Sequence, residues 1–213
     1  IKSKAKIEKK EKKTYTMTTA STMNISITKR DGRKEHLDIN KIHFVVEEAC
    51  ENLPGVSASQ IEMNANIQFY DGMTTKDIQN VLVRSANDLI SLEEPNYQYA
   101  AARLLLYDVR KEAHGQYEYT PLLKLILRNI RNNVYDKEIV EKYTKTEVKK
   151  LNSWIRRERD LKFTYAGLRQ VVDKYLVQDR SSGQLYETPQ DMYMMIAATL
   201  FADYSEKTRM SYI

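Results

Sequence analysis

Across residues 24–29 apolar and polar positions alternate through Ile25 and Ile27, the period of a strand with one buried face. Asp31-Gly32 supplies a turn with positive φ, and residues 33–37 return antiparallel, so the pattern predicts a two-stranded hairpin. The period then lengthens to that of a helix. Asp38 or Asn40 N-caps it, and Ile42, Val45, Val46, Ala49, Cys50 and Leu53 share its apolar face. Ser57 and Gln60 form a capping box that opens a second helix toward Phe69, broken by Asp71-Gly72. Thr74 or Thr75 opens a third, with Ile78, Val81, Leu82, Ser85, Ala86 and Leu89 facing inward. Pro95 is placed as a first-turn proline of a fourth helix carrying Tyr99, Ala102, Leu106 and Val109, and Gly115 stops it. A hairpin against four helices follows for residues 24–115.

Beyond that point Pro121 begins an amphipathic helix through Leu122, Leu125, Ile126 and Ile130, and the Thr144–Glu147 capping box begins another through Val148, Leu151 and Ile155. Residues 174–177 and 185–188 bracket a polar loop with Gly183, which predicts a small β-hairpin between a helix near 165–173 and one starting at Pro189. That last helix is strongly apolar. Met192, Met195, Ile196, Thr199 and Leu200 form a face with few partners in so short a segment, so it is expected to cover another domain or chain.

Composition narrows the class. The 213 residues are 42% hydrophobic, enough for a core. No stretch reaches the roughly 18 consecutive apolar residues of a membrane span and no secretory leader is evident, so a cytosolic location is expected, that of the host if a phage encodes the chain. The single cysteine, Cys50, excludes a disulfide framework and reads as core packing. The formal charge is +5, and much of the excess lies in the lysines of residues 1–23, read as a disordered basic tail.

Lys29, Arg30 and Lys41 are expected to converge where the hairpin meets the first helix. Cations so placed repel unless an anion sits between them or water screens them. Phosphate suits them, since Arg offers a planar fork and Lys a compact charge. A solvated hairpin protecting a strand edge is the plain alternative.

The run Lys29-Arg-Asp-Gly32, preceded by Ile27 and followed by Glu35, Leu37, Asp38 and Lys41-Ile42, resembles the signature of the ATP-cone, the regulatory nucleotide-binding domain at the front of many ribonucleotide reductase large subunits. The similarity continues through residues 67–75, 94–103 and 114–116. Residues 159–166, 174–178 and 186–190 resemble the segment leading into the catalytic α/β barrel of aerobic class I enzymes. The resemblance implies a mainly α fold: an ATP-cone over 24–115, with its β-hairpin lid on a four-helix bundle, then a helical region over 116–213. It implies ATP or dATP as allosteric effector, with Mg²⁺, lined by Lys29, Arg30, Glu35, His36, Leu37, Asp38, Ile39, Asn40, Lys41, Ile42, Thr75 and Lys111. Thr75 is equally a helix N-cap, and Lys111 equally a partner of a helix C-terminus.

Implied partners are the catalytic barrel of the α subunit, in cis or in trans, a second α subunit and a radical-generating β subunit, with neither membrane nor nucleic acid. The family's reaction needs a thiyl-forming cysteine and a cysteine pair. One cysteine cannot supply these, so no catalytic residue or redox cofactor is expected in this truncated or split portion. His36, His43 and His114 read as surface or capping groups. Where dATP-inhibited members carry histidines, this chain has Gln79 and Asp108, which predicts weak dATP feedback. A stand-alone ATP-cone regulator and a basic nucleic-acid-binding module are the rival readings.

Overall fold

The computed structural model describes residues 25–213, so the expected tail lies outside the described residues. Strands β1 (Ser26–Thr28) and β2 (Lys34–His36) pair antiparallel with Ile27 opposite Glu35. The turn between them takes its positive φ from Gly32 alone, at 83°. A strand-like segment runs beside β1: Thr28 N–H donates to the Met73 carbonyl and Gly72 N–H to the Ser26 carbonyl, both at 2.8 Å. The hairpin is thus stitched to the start of the third helix.

Four helices follow: α1 (Ile39–Cys50), α2 (Ala58–Asn66), α3 (Thr75–Asn87) and α4 (Tyr97–His114). Asp38 is the N-cap of α1, its carboxylate accepting from Asn40 N–H at 3.1 Å. Thr74 caps α3 in a reciprocal box with Asp77. Gly115 ends α4 at φ 72°, in the left-handed region where a side chain would be strained. Three expectations shift. Helix α2 stops at Asn66, short of Phe69. Pro95 precedes the Asn96 cap, outside the first turn. Only half the box expected at Ser57 forms, because the Gln60 side chain instead accepts from the hydroxyl of fully buried Tyr97. Arg103 on α4 donates to the carbonyls of Ala49 and Glu51 at 3.2 and 2.6 Å, satisfying the end of α1.

The remaining helices are α5 (Leu122–Arg131), α6 (Glu138–Lys142), α7 (Lys145–Trp154), α8 (Tyr165–Lys174), α9 (Pro189–Leu200) and α10 (Glu206–Tyr212), with a 3₁₀ segment at Arg157–Lys162. The expected second hairpin is present only as a rudiment, without strands of its own: Asp179 N–H donates to the Gln184 carbonyl at 2.9 Å and Tyr186 N–H to the Val177 carbonyl at 3.1 Å. Residues 177–186 close through a single bridge, Gln178 to Leu185, and the Val177 N–H is taken by the Glu187 carboxylate at 3.0 Å. A side chain has replaced the next rung of a ladder.

One apolar core runs from Ile25 and Ile27 through Val46, Ile61, Leu82 and Leu104 into Leu168, Val172 and Leu176 of the α8 region, so the packing crosses residue 115 without a break. A second cluster joins Leu122, Ile126, Tyr143, Val148, Leu151 and Ala198. Arg209 on α10 closes it, donating to Glu147 at 2.6 Å and stacking over Tyr143 at 4.2 Å. On α9, Met192 is buried while Ile196 and Leu200 are 49% and 69% exposed beside an open groove.

His114 is no surface group. Its side chain is buried, Nδ1 accepts from Thr120 N–H at 3.3 Å, and Nε2 lies 3.3 Å from buried Asp191. Burial alone would push the Asp191 carboxyl up, yet His114, Arg157 and Thr188 together hold it well below the ordinary range. Asp160 is the opposite case. Burial pushes it up to about 6, and one of its oxygens has no hydrogen-bond partner. A folded-state value above the unfolded 3.8 means the folded protein binds more protons between those limits, so stability falls as pH rises from 4 to 6. Asp160→Asn is therefore expected to be more stable than the parent at pH 7.5, by roughly 3 kcal/mol at most, with little difference at pH 3.5. Parallel pH-dependent melts check this, and a pH-independent difference would refute it.

Candidate functional site

Between the hairpin, α1, α3 and the C-terminal half of α4 lies a cavity of about 360 Å³. Each wall has a local cause. The hairpin puts Lys29 and Glu35 at its roof, and the cap turn puts Asp38, Asn40 and Lys41 at its rim. Because Thr74 occupies the cap, Thr75 is the first residue of α3 and takes a place in the wall. The first-turn N–H groups of a helix lack intrahelical partners and favour anions. Lys111 comes from the last turn of α4, and Tyr107 one turn earlier.

Of the residues expected at a nucleotide site, Lys29, Glu35, Leu37, Asp38, Asn40, Lys41, Ile42, Thr75 and Lys111 line this cavity. Arg30, His36 and Ile39 do not. His36 and Ile39 are exposed, and Arg30 bonds Asp108 at the edge. Phe44, Val45, Ile78, Leu82 and Tyr107 also line it and were not singled out for binding. Of these, Ile78, Leu82 and Val45 stand at positions that the helical spacing assigns to the core. Phe44 falls outside the apolar face predicted for the first helix, which is the signal that sequence offered, and it is 62% exposed.

The cations do not converge unpartnered. Lys29 pairs with Glu35 at 3.0 Å, Lys41 with Asp38 at 3.5 Å and Arg30 with Asp108. These pairs are partly exposed, where such bridges contribute little. Lys111 differs: among the described residues it has no carboxylate at ion-pair distance, its ammonium instead lying 5.2 Å from the Tyr107 ring centre. Burial first, then the charges of Arg30 and Lys29, hold its pKa below the usual lysine value. Gln79 lines the cavity but donates to the Leu104 carbonyl at 2.8 Å, tying α3 to α4. Cys50 lies in the apolar packing, its thiol pushed up to about 11 by burial, which removes it as a nucleophile. Among the described residues no group of three or more His, Cys, Asp or Glu is placed to hold a metal, and no helix is long and apolar enough to cross a membrane.

A basic, half-apolar pocket under a two-stranded flap, joined to a helical second half, defines a small-molecule-binding class of fold. Comparison with known proteins makes it specific. Residues 25–112 match the ATP cone domain and residues 161–213 the ribonucleotide reductase all-alpha domain. Over 190 residues, 89% of this chain, it is 43% identical to ribonucleoside-diphosphate reductase 1 subunit alpha of Escherichia coli (strain K12), and 40% identical to the subunit alpha of Haemophilus influenzae. The subunit alpha of Enterobacteria phage T4 is 42% identical over 181 residues. The chain spans about a quarter of the length of these relatives, 24–25%. The chain thus carries an ATP cone domain and a ribonucleotide reductase all-alpha domain, and it is similar over most of its length to the amino-terminal region of these α subunits.

The Lys111 environment makes a direct prediction. Arg30→Gln is expected to raise the Lys111 pKa, read by NMR of its ammonium or ε-methylene signals against pH. An unchanged value would show that the Arg30 charge is not felt in the cavity.

Proposed function

We propose that this chain is the allosteric portion of a ribonucleoside-diphosphate reductase α subunit, its cone binding ATP or dATP. The whole enzyme would convert ribonucleoside diphosphates to deoxyribonucleoside diphosphates, with the cysteine chemistry supplied by a catalytic barrel in cis or in trans. A second α subunit and a radical-generating β subunit are the partners in this reading, and the cytosol its location. The observation that carries it is the gathering of nine expected residues, from four separate elements, around one cavity.

In this reading the triphosphate sits against Lys29, Lys41, Lys111 and the start of α3, and the base lies on the apolar wall of Ile42, Val45, Ile78, Leu82 and Tyr107. Glu35 and Asp38 pair with Lys29 and Lys41. When phosphate arrives they release them and accept from ribose or base, or bind Mg²⁺ through water. Lys111 has no such carboxylate partner to give up, so its attraction to phosphate is undiminished by exchange.

Calorimetry of the 213-residue chain with Mg·ATP tests the assignment. Binding is expected, and Lys111→Ala is expected to weaken it by at least tenfold, since a charge-assisted bond to phosphate contributes roughly 1.5–3 kcal/mol and about 1.4 kcal/mol is one decade. No heat with either ATP or dATP would end the reading.

The pairing of Asp108 with Arg30 bears on inhibition. It withholds part of the Arg30 charge from the triphosphate, and Gln79, occupied by the Leu104 carbonyl, offers no cation. We therefore expect ATP to bind while dATP feedback stays weak. Turnover of the reassembled reductase at rising dATP reads this directly, and strong inhibition at low micromolar dATP refutes it.

A further inference from the structure

Residues 1–24 hold seven lysines and two glutamates, a balance of +5 that equals that of the whole chain, so residues 25–213 are formally neutral. Against that balance one cavity is strongly one-sided. Some 600 Å³ lies between the end of α4, α5 and α7, lined by Lys124, Arg128, Arg131 and Lys149 with no carboxylate among its walls. The first three follow at i, i+4 and i+7 on α5, one helical face. None of the four is ion-paired among the described residues. This site shares no residue with the cone pocket.

The setting is built rather than incidental. Arg128 is held in place, donating to the Ala113 carbonyl at 2.5 Å and to the Asn129 amide oxygen at 3.3 Å. His114, with a side chain closed to solvent and its Nε2 turned toward Asp191 at 3.3 Å, backs the wall. Four like charges around one concavity repel one another unless an anion joins them. The exposed Arg131 guanidinium, with Lys124 and Lys149 beside it and Arg128 adding charge to the wall while its own fork is bonded to carbonyls, fits a compact, multiply charged oxyanion. An extended polyanion such as nucleic acid needs cations along an open surface, whereas these surround a hollow. The basic segment of residues 1–24 has the wrong sign to fill it.

We propose that this cavity is a second anion site, one that binds an oligophosphate, either free or as the phosphate chain of a nucleotide. Isothermal titration with inorganic triphosphate at low salt tests it on the full 213-residue chain. The comparison is between the parent, K124A/R131A/K149A and the cone variant K41A/K111A. Lys124, Arg131 and Lys149 are exposed, so the triple variant is expected to melt with the parent, and K124R/K149R serves as the charge-keeping control. Triphosphate binding should persist in the cone variant, fall at least tenfold in the triple variant, and survive in the control.

ATP then distinguishes the sources. Two equivalents on the parent and one on the triple variant identify a nucleotide. One equivalent on both, with triphosphate binding still lost, identifies free oligophosphate. Equal triphosphate affinity in parent and triple variant overturns the proposal, as does loss of all triphosphate binding in the cone variant. A single-stranded oligonucleotide that binds more tightly than triphosphate, and loses that binding in the triple variant, overturns it in favour of nucleic acid.

Discussion

Helix α4 is buried along most of its length, with Tyr97, Ala100, Ala101 and Leu104 closed to solvent, and both halves of the fold are placed by the sides of it that they cover. Helices α1 and α3 take one flank and α8 another. Because those contacts fix its rotation, its polar residues come out where the packing leaves openings. Tyr107, Asp108 and Lys111 reach the cone pocket or its edge, and His114 reaches the second half. A helix held this way cannot turn to relieve a poorly solvated charge. The depressed Lys111 pKa is thus a consequence of core packing as much as of local electrostatics.

The same packing explains why the pocket can be basic without being unstable. Lys29, Lys41 and Arg30 each lean on a carboxylate, in partly exposed pairs. Exposed ion pairs differ little in free energy from solvated charges, so exchanging one for phosphate costs little. Had these pairs been deeply buried, breaking them would have left uncompensated carboxylates at a cost of roughly 3–5 kcal/mol each. Exposure keeps them exchangeable, while the half-buried Lys111 supplies attraction that needs no exchange.

What sequence disclosed was local. The Asp38 cap, the Thr74–Asp77 and Thr144–Glu147 boxes and the Gly32 and Gly115 turns act over a few residues, and the elements they bound were legible from their spacing. What it hid depends on distant partners. Gln60 abandons its capping role for Tyr97, 37 residues away. The alternation over 174–188 predicts a hairpin, and the chain does return antiparallel there, but Glu187 takes the Val177 N–H and bonds Tyr135, so the ladder stops at one bridge and the segment also serves a buried polar network. The cone residues were readable as a list because the hairpin and first helix adjoin in sequence. Their carboxylate partners were not all readable, since Asp108 meets Arg30 across 78 residues.

The continuous core also limits how a nucleotide signal can leave the cone. Swinging residues 25–115 as a rigid body away from the second half would expose Leu168, Val172 and Leu176, now between 0% and 7% accessible. Each buried side chain of that size is worth roughly 1.5–3 kcal/mol, so their sum exceeds the roughly 1–3 kcal/mol typical of allosteric coupling. A ligand shifts an equilibrium only by its differential affinity for the two states, and that affinity cannot separate these halves. If a nucleotide binds as proposed, its occupancy is read from the surface it touches: the hairpin, stitched to α3 but with exposed residues at its turn, and the carboxylates now paired with Lys29 and Lys41. A partner that senses the cone would therefore recognise the hairpin and the charge around it, with the packed body behind them in place.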